Sequence, residues 1–253
     1  MAGRLKIALQ SLAHRMGYQI RRVDENVSLD DAFSEQMRLA GSDARCIVEV
    51  GAADGRDSER YARAAPGARV LAFEPIPESF EALRVRTAAL PSITAVNAAV
   101  SDRPGQAEFH VGTWLDSSSL LKAQTTGSNY DAYQKPTHSI RVEVVTLDDA
   151  CRTQNIEHID LLKMDAQGAE LKILAGASEL LQRGAIRVVY AEVHFNASYE
   201  GSGLFHDISL FLHRHGFGVH NIYNLTHDHT GRLLWGDAIF VHRGGTDAVL
   251  DAA

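Results

Sequence analysis

The residues best suited to chemistry stand at the ends of short apolar runs. Glu49 closes one run and leads into a turn with glycines four positions apart, Gly51 and Gly55, with Ala53 between them. The polar segment Arg56-Asp57-Ser58 follows. Glu74-Pro75 closes the next run, Ser101-Asp102 a third, Asp165 a fourth, and Glu192 with His194 a fifth. A strand–turn–helix corner of the first kind offers backbone N–H groups and a glycine-lined surface to a ligand. Carboxylates at neighbouring strand ends add acceptors for hydroxyl and ammonium groups.

Three common ligands use such corners. A phosphate-cradling Gly-x-x-x-x-Gly-Lys-Ser/Thr run is absent, and so is the Gly-x-Gly-x-x-Gly of pyrophosphate sites. No Tyr-x-x-x-Lys pair occurs, since Tyr130 is followed by Gln134 and Tyr133 by Thr137. S-adenosylmethionine remains. It carries no phosphate and needs fewer glycines. On this reading Glu49 attracts its ammonium, and N–H groups near Asp57 and Ser58 meet its carboxylate. Glu74, beside Pro75, accepts both ribose hydroxyls, and Ser101 and Asp102 contact adenine.

The elements that must position these groups alternate. Strands are expected at Cys46–Val50, Arg69–Phe73, Ile93–Val100, Ile159–Met164 and Arg187–Val193. Helices are expected at Ser58–Ala64, from Pro77 to Ala89, at Glu170–Ala175, at Ser178–Gln182 and at Phe205–His215. The order implies an α/β fold with a doubly wound, mostly parallel sheet. Gln106–Val111 and Ile140–Thr146 read as an inserted hairpin, with a polar, mobile loop or lid over Gly112–Thr137. A short helix at Leu147–Asn155 follows, and Val219–Tyr223 with Ala238–His242 read as a closing antiparallel pair.

Before the alternation, Leu5, Ala8, Leu9, Leu12, Ala13 and Met16 form an apolar helical stripe within residues 1–22. It suits packing on the main domain or on a second copy, hence a homo-oligomer; a membrane-surface helix is the alternative. A second helix near Leu29–Leu39 is expected to be capped by Ser28 or Asp30. The expected organisation is a helical extension over 1–42, a catalytic domain over 43–243 with the insertion at 106–146, and a frayed tail over 244–253.

The net charge of −7 and pI near 5.9 disfavour nucleic acid as a partner. Two cysteines, Cys46 and Cys151, give no disulfide framework, and no apolar run reaches membrane-spanning length. A cytoplasmic protein is expected.

Four segments carry a family resemblance: Val48–Gly55, Ala72–Pro77, Thr146–Asp149 and Ile159–Glu170, with Trp235–Phe240 in support. Over about Ile47 to Val241 the chain resembles the FkbM family of S-adenosylmethionine-dependent methyltransferases. The resemblance implies a seven-stranded, Rossmann-like class I methyltransferase fold. It also implies methyl transfer to a hydroxyl of a sugar, glycan or other small natural product. Two positions depart from the family pattern: Ala53 stands where Asn is usual, and Gln167 where Glu is usual.

An alcohol attacks a methyl sulfonium only as its proton leaves, so a base must sit beside the acceptor oxygen. Asp165, Glu192 and His194 are the candidates, Asp165 also bordering the cofactor. In a second mechanism, with no metal required in the first, the same three residues hold a divalent ion such as magnesium that acidifies the hydroxyl. Two other function classes are a nucleic-acid methyltransferase and a non-catalytic protein of the same fold.

Overall fold

Runs of wholly buried side chains build the middle of the sheet. In the computed structural model, which describes residues 31–245, β1 (Cys46–Val50) and β7 (Ile159–Met164) are buried along their whole length. Strands covered on both faces are continuous in apolar residues, as parallel central strands must be. The chain divides between Glu35 and Gln36, and the site lies wholly in the second unit.

Between them in sequence come α2 (Arg56–Ala64), β2 (Arg69–Phe73), α3 (Pro77–Thr87), β3 (Ile93–Val96), β4 (Ala99–Val100), β5 (Gly105–Gly112), α4 (Asp131–Gln134), β6 (Pro136–Val145) and α5 (Leu147–Thr153). After β7 follow α6 (Glu170–Ala175), α7 (Ser178–Gln182), β8 (Ile186–His194), α8 (Phe205–Arg214), β9 (Phe217–His227) and β10 (Leu233–His242). The main sheet runs β3-β2-β1-β7-β8-β10-β9. Its pairs are parallel from β3 to β8, and β10 is antiparallel to both β8 and β9. The seven-stranded, mostly parallel sheet is therefore as expected.

The order reverses between β1 and β7, the crevice where such sheets take ligands. Register sharpens this. Val50 pairs with Phe73 on one side and Met164 on the other, and Met164 pairs with Ala191. The residues after the first two pairs, Gly51, Glu74 and Asp165, therefore leave the sheet side by side, while Glu192 continues in β8 opposite Asp237.

The expected strand Ile93–Val100 is broken. β3 stays in the main sheet, while β4 joins β6 and β5 in a separate three-stranded sheet. The break is at Asn97, whose amide donates to the carbonyls of Glu74 at 2.8 Å and Pro75 at 3.2 Å. The second sheet has its own core, in which Phe109, Val111, Val142 and Val144 pack on Ala99 and Ile76. The segment expected as a plain loop carries a 3-10 turn at Leu115–Ser117 and the short helix α4. Ser117, Ser118 and Ser119 are buried, and His110 bridges Ser119.

Helix α1 (Ala32–Ala40) follows directly on Asp31, while the expected caps Ser28 and Asp30 lie outside the described residues. The Asp31 carboxylate accepts the Phe33 N–H at 3.1 Å and the Ser34 hydroxyl. The expected helix over 1–22 and most of the expected tail lie outside the described residues.

Candidate functional site

A cavity of about 530 Å³ opens at the crevice between β1 and β7. That lies within the range of sites for a drug-sized ligand. Glu49, Gly51, Ala53, Glu74, Pro75 and Asp165 line it.

The corner after β1 is held in left-handed backbone: φ is 80° at Gly51, 47° at Ala53 and 82° at Gly55. Gly51 is obligatory for a second reason. A Cβ there would sit 2.0 Å from the Asp165 carbonyl oxygen. The two strand ends can meet only without a side chain.

Glu74 braces the same turn. Its Oε2 accepts the Ala53 N–H at 2.9 Å and its Oε1 accepts the Ile76 N–H at 2.8 Å. Burial pushes its carboxyl up to about 7, against the pull of those two amides. Each oxygen keeps a second lone pair for a hydroxyl donor. Deeper in, Ala98, Ala99, Val100 and Phe109 give the cavity an apolar wall.

Glu49 is almost fully buried and already paired. Lys163 Nζ lies 3.3 Å from its Oε1, and the Ser58 hydroxyl donates to its Oε2. Lys163 also donates to the Gly51 carbonyl at 3.1 Å and stands 3.9 Å from Asp165 Oδ2. Burial acts against the lysine charge, but Glu49 and Asp165 outweigh it, so its pKa is raised. Burial raises the Glu49 carboxyl too, with Lys163 and Ser58 opposing. Lys163 was not singled out from sequence. Its alternation partner Asp165 was, and only the fold turns both toward the Gly51 corner.

Asp165 is half-exposed to the cavity, while the other candidate bases stand behind its wall. Gln167 separates them. Its amide nitrogen donates to Asp165 Oδ1 at 3.0 Å and to Glu192 Oε2 at 2.7 Å. Tyr199 donates to the Gln167 carbonyl oxygen Oε1 or to the Ser117 carbonyl, at 2.9 and 3.0 Å. The Ser119 hydroxyl reaches the Gln167 backbone carbonyl at 2.9 Å. Gln167 itself has φ 52°, a strained value for a residue with a side chain. This one residue ties the β7 end to β8 and to the insertion.

His194 is fully buried, with Nε2 3.3 Å from Glu192 Oε2, yet neither ring nitrogen has hydrogen-bonding geometry. Burial opposes its protonation, and the Glu192 and Glu170 carboxylates win, raising its pKa. Burial, then Asp165, lifts Glu192 to about 7. Glu170 Oε1 accepts the Ala166 N–H at 2.8 Å, and burial raises this carboxyl as well.

Several expected positions fall elsewhere. Ser101 and Asp102 do not line the cavity, because the chain leaves the main sheet at Asn97, before reaching them. The Ser101 carbonyl instead packs against Gly176, where a Cβ would approach to 2.1 Å. Gly55 and Ser58 support the corner from behind, against Leu83 and Glu49 respectively. Asp165, Glu192 and His194 do not converge on a shared cation position. The Gln167 amide fills the space between the two carboxylates, and among the described residues no His/Cys/Asp/Glu group is arranged to hold a metal.

Both cysteines are buried and free. No helix among the described residues is long and apolar enough to cross a membrane.

The Methyltransferase FkbM domain matches residues 49–219. The 2-O-methyltransferase NoeI of Sinorhizobium fredii is 33% identical over 162 residues, 61% of this chain and 65% of NoeI. Methyltransferase sdnD of Sordaria araneosa is 30% identical over 196 residues, covering 68% of this chain and 73% of sdnD. The 31-O-demethyl-FK506 methyltransferase FkbM of Streptomyces tacrolimicus is 31% identical over 175 residues, 61% of this chain and 65% of that protein. The match thus spans just under two thirds of the length of NoeI and FkbM.

Proposed function

Because the chain belongs to the FkbM family of methyltransferases, we propose that it moves a methyl group from S-adenosylmethionine to a hydroxyl of a sugar, glycan or other small natural product. One observation carries the reading. The register around Val50 delivers Gly51, Glu74 and Asp165 to one cavity at the sheet's reversal point.

The residues present suit that cofactor. Glu74 holds a carboxylate fork at the cavity for a vicinal diol, and Ala98, Ala99 and Val100 give an apolar surface for a flat ring. The start of α2, with its first-turn N–H groups, serves a carboxylate. Glu49 acts mainly by holding Lys163 in place. Pro75 and Ala53 shape the rim.

When bound, the cofactor supplies an electrophilic methyl on a sulfonium. Asp165 takes the acceptor's hydroxyl proton on its exposed carboxylate, oriented by Gln167. Glu192 and His194 support that orientation from behind the wall. The catalytic domain is 43–243, with 106–146 covering the acceptor side. The free, buried cysteines suit a cytoplasmic setting.

Calorimetric titration of the purified protein with S-adenosylmethionine tests the reading. Micromolar binding is expected; absence of binding would leave the non-catalytic alternative.

A further inference from the structure

Three of the large apolar side chains most exposed among the described residues lie on the insertion: Trp114 at 59%, Leu115 at 52% and Tyr133 at 40%. Exposed aromatic groups clustered at a cavity mouth mark a contact surface. Leu115 and Asp116 line the cavity, and Trp114 is the residue before them. Tyr133 lies against Trp114, with ring centroids 4.5 Å apart and planes tilted by 36°.

The pair is braced as a built feature would be. The Trp114 N–H donates to the Tyr133 carbonyl at 3.3 Å, and the Thr113 N–H to the Lys135 carbonyl at 3.1 Å. The buried Ser117 hydroxyl lies 2.7 Å from the carbonyls of both Trp114 and Tyr133. Tyr130 continues the row at 6.3 Å from Tyr133 and meets Trp235 edge-on at 4.7 Å. A row of aromatic rings thus runs from Trp114 to Trp235, which lies against His194, and neither Trp114 nor Tyr133 is used by the cofactor or by Asp165.

We propose that Trp114 and Tyr133 are a stacking platform for a second pyranose ring, so that the acceptor is an oligosaccharide and not a lone sugar. The proposal rests on the methyl-transfer reading of the cavity.

Trp114 and Tyr133 stand two residues from the exposed charged side chains Asp116 and Lys135 respectively. A pyranose matches that mixture: its C–H face lies on an aromatic ring while its edge hydroxyls reach charged groups. A wide apolar macrocycle would need a broader apolar surface. The cavity is the size of one drug-like ligand, so the cofactor fills it and the reacting ring lies at its mouth, against Leu115. The next ring of a chain then falls over Trp114.

The full chain, loaded with the demethylated cofactor product, is applied to an array of short pyranose oligosaccharides and their monosaccharides. The best oligosaccharide is then titrated by calorimetry, which reads the parent and every variant alike. Expected are oligosaccharide binding well above that of the monosaccharide, and weakening of about tenfold in Trp114→Ala and in Tyr133→Ala. Trp114→Phe should retain most of the affinity, and cofactor affinity should be unchanged in all three variants. The proposal is overturned if no oligosaccharide binds, if mono- and oligosaccharide bind equally, if both alanine variants bind as the parent does, or if a macrolide probe binds in place of sugars. Failure of the parent chain to bind S-adenosylmethionine would instead strike at the methyl-transfer reading, with the array result standing on its own.

Discussion

Glu74, at the end of β2, holds the backbone N–H of Ala53, in the turn after β1, at 2.9 Å. The strand-end carboxylate and the left-handed turn are thereby one unit: the residue proposed to receive the ribose also fixes the corner beside it.

That unit is under strain at Ala53, whose φ of 47° disfavours any side chain branched at Cβ. Ala53→Asn should stabilise the fold by up to about 1 kcal/mol, since Asn tolerates this region better. Ala53→Val should destabilise it by a similar amount or more. Urea unfolding of both variants checks the order, and an equal midpoint for the two would contradict the strain.

Cofactor binding should release a proton. Burial holds Glu74 near 7, above the ordinary 4.5, and hydroxyl donors favour its charged form. Affinity should therefore rise with pH until about 7 and then level. Calorimetry in buffers of different ionisation enthalpy reads the released proton directly. Glu74→Gln should abolish the pH dependence and weaken binding about tenfold or more. In the free protein the sign is opposite in consequence. A folded-state pKa above the unfolded value means that this group lowers stability as pH rises from about 4.5 to 7.

Removing the proposed base should separate chemistry from binding. Asp165→Asn is expected to lower kcat by about 10²–10⁴-fold. Cofactor affinity should change only a few-fold, since Lys163 keeps its pairing with Glu49. Single-turnover methyl transfer with radiolabelled cofactor measures this, and near-normal turnover would remove Asp165 from the role.

Lys163→Met should be costly because it leaves the Glu49 charge buried without its partner. A loss of about 3–5 kcal/mol is expected, the range for breaking a buried pair. Adding Glu49→Gln should recover a large part of it. If the double variant is no more stable than the single one, the pair does not account for the loss.

The parts legible in the sequence were those written locally. Cys46–Val50 and Ile159–Met164 are unbroken apolar runs, and a strand buried on both faces requires that pattern. Glu74 and Asp165 could be placed because each directly follows such a run. Asn97 could not, since its run reads as continuous and its effect lies in two carbonyls supplied by the preceding strand end. Ser101 and Asp102 stand outside the cavity lining, which ends at Val100 on that segment. Gln167 was visible as a departure from the family pattern, but its contacts join residues from β7, β8 and the insertion, and sequence spacing does not report such meetings. His194 has the chemistry of a base, while its burial comes with the rings of Tyr199 and Trp235 packed beside it.

The break at Asn97 also has an engineering consequence. It gives the insertion a small sheet with its own core, and that core walls the cavity with Ile76, Ala99 and Phe109. A graft of residues 113–135 from another family member should therefore move acceptor preference and the cofactor constant together, because Leu115, Asp116, Ser118 and Leu120 line the cavity that would hold the donor.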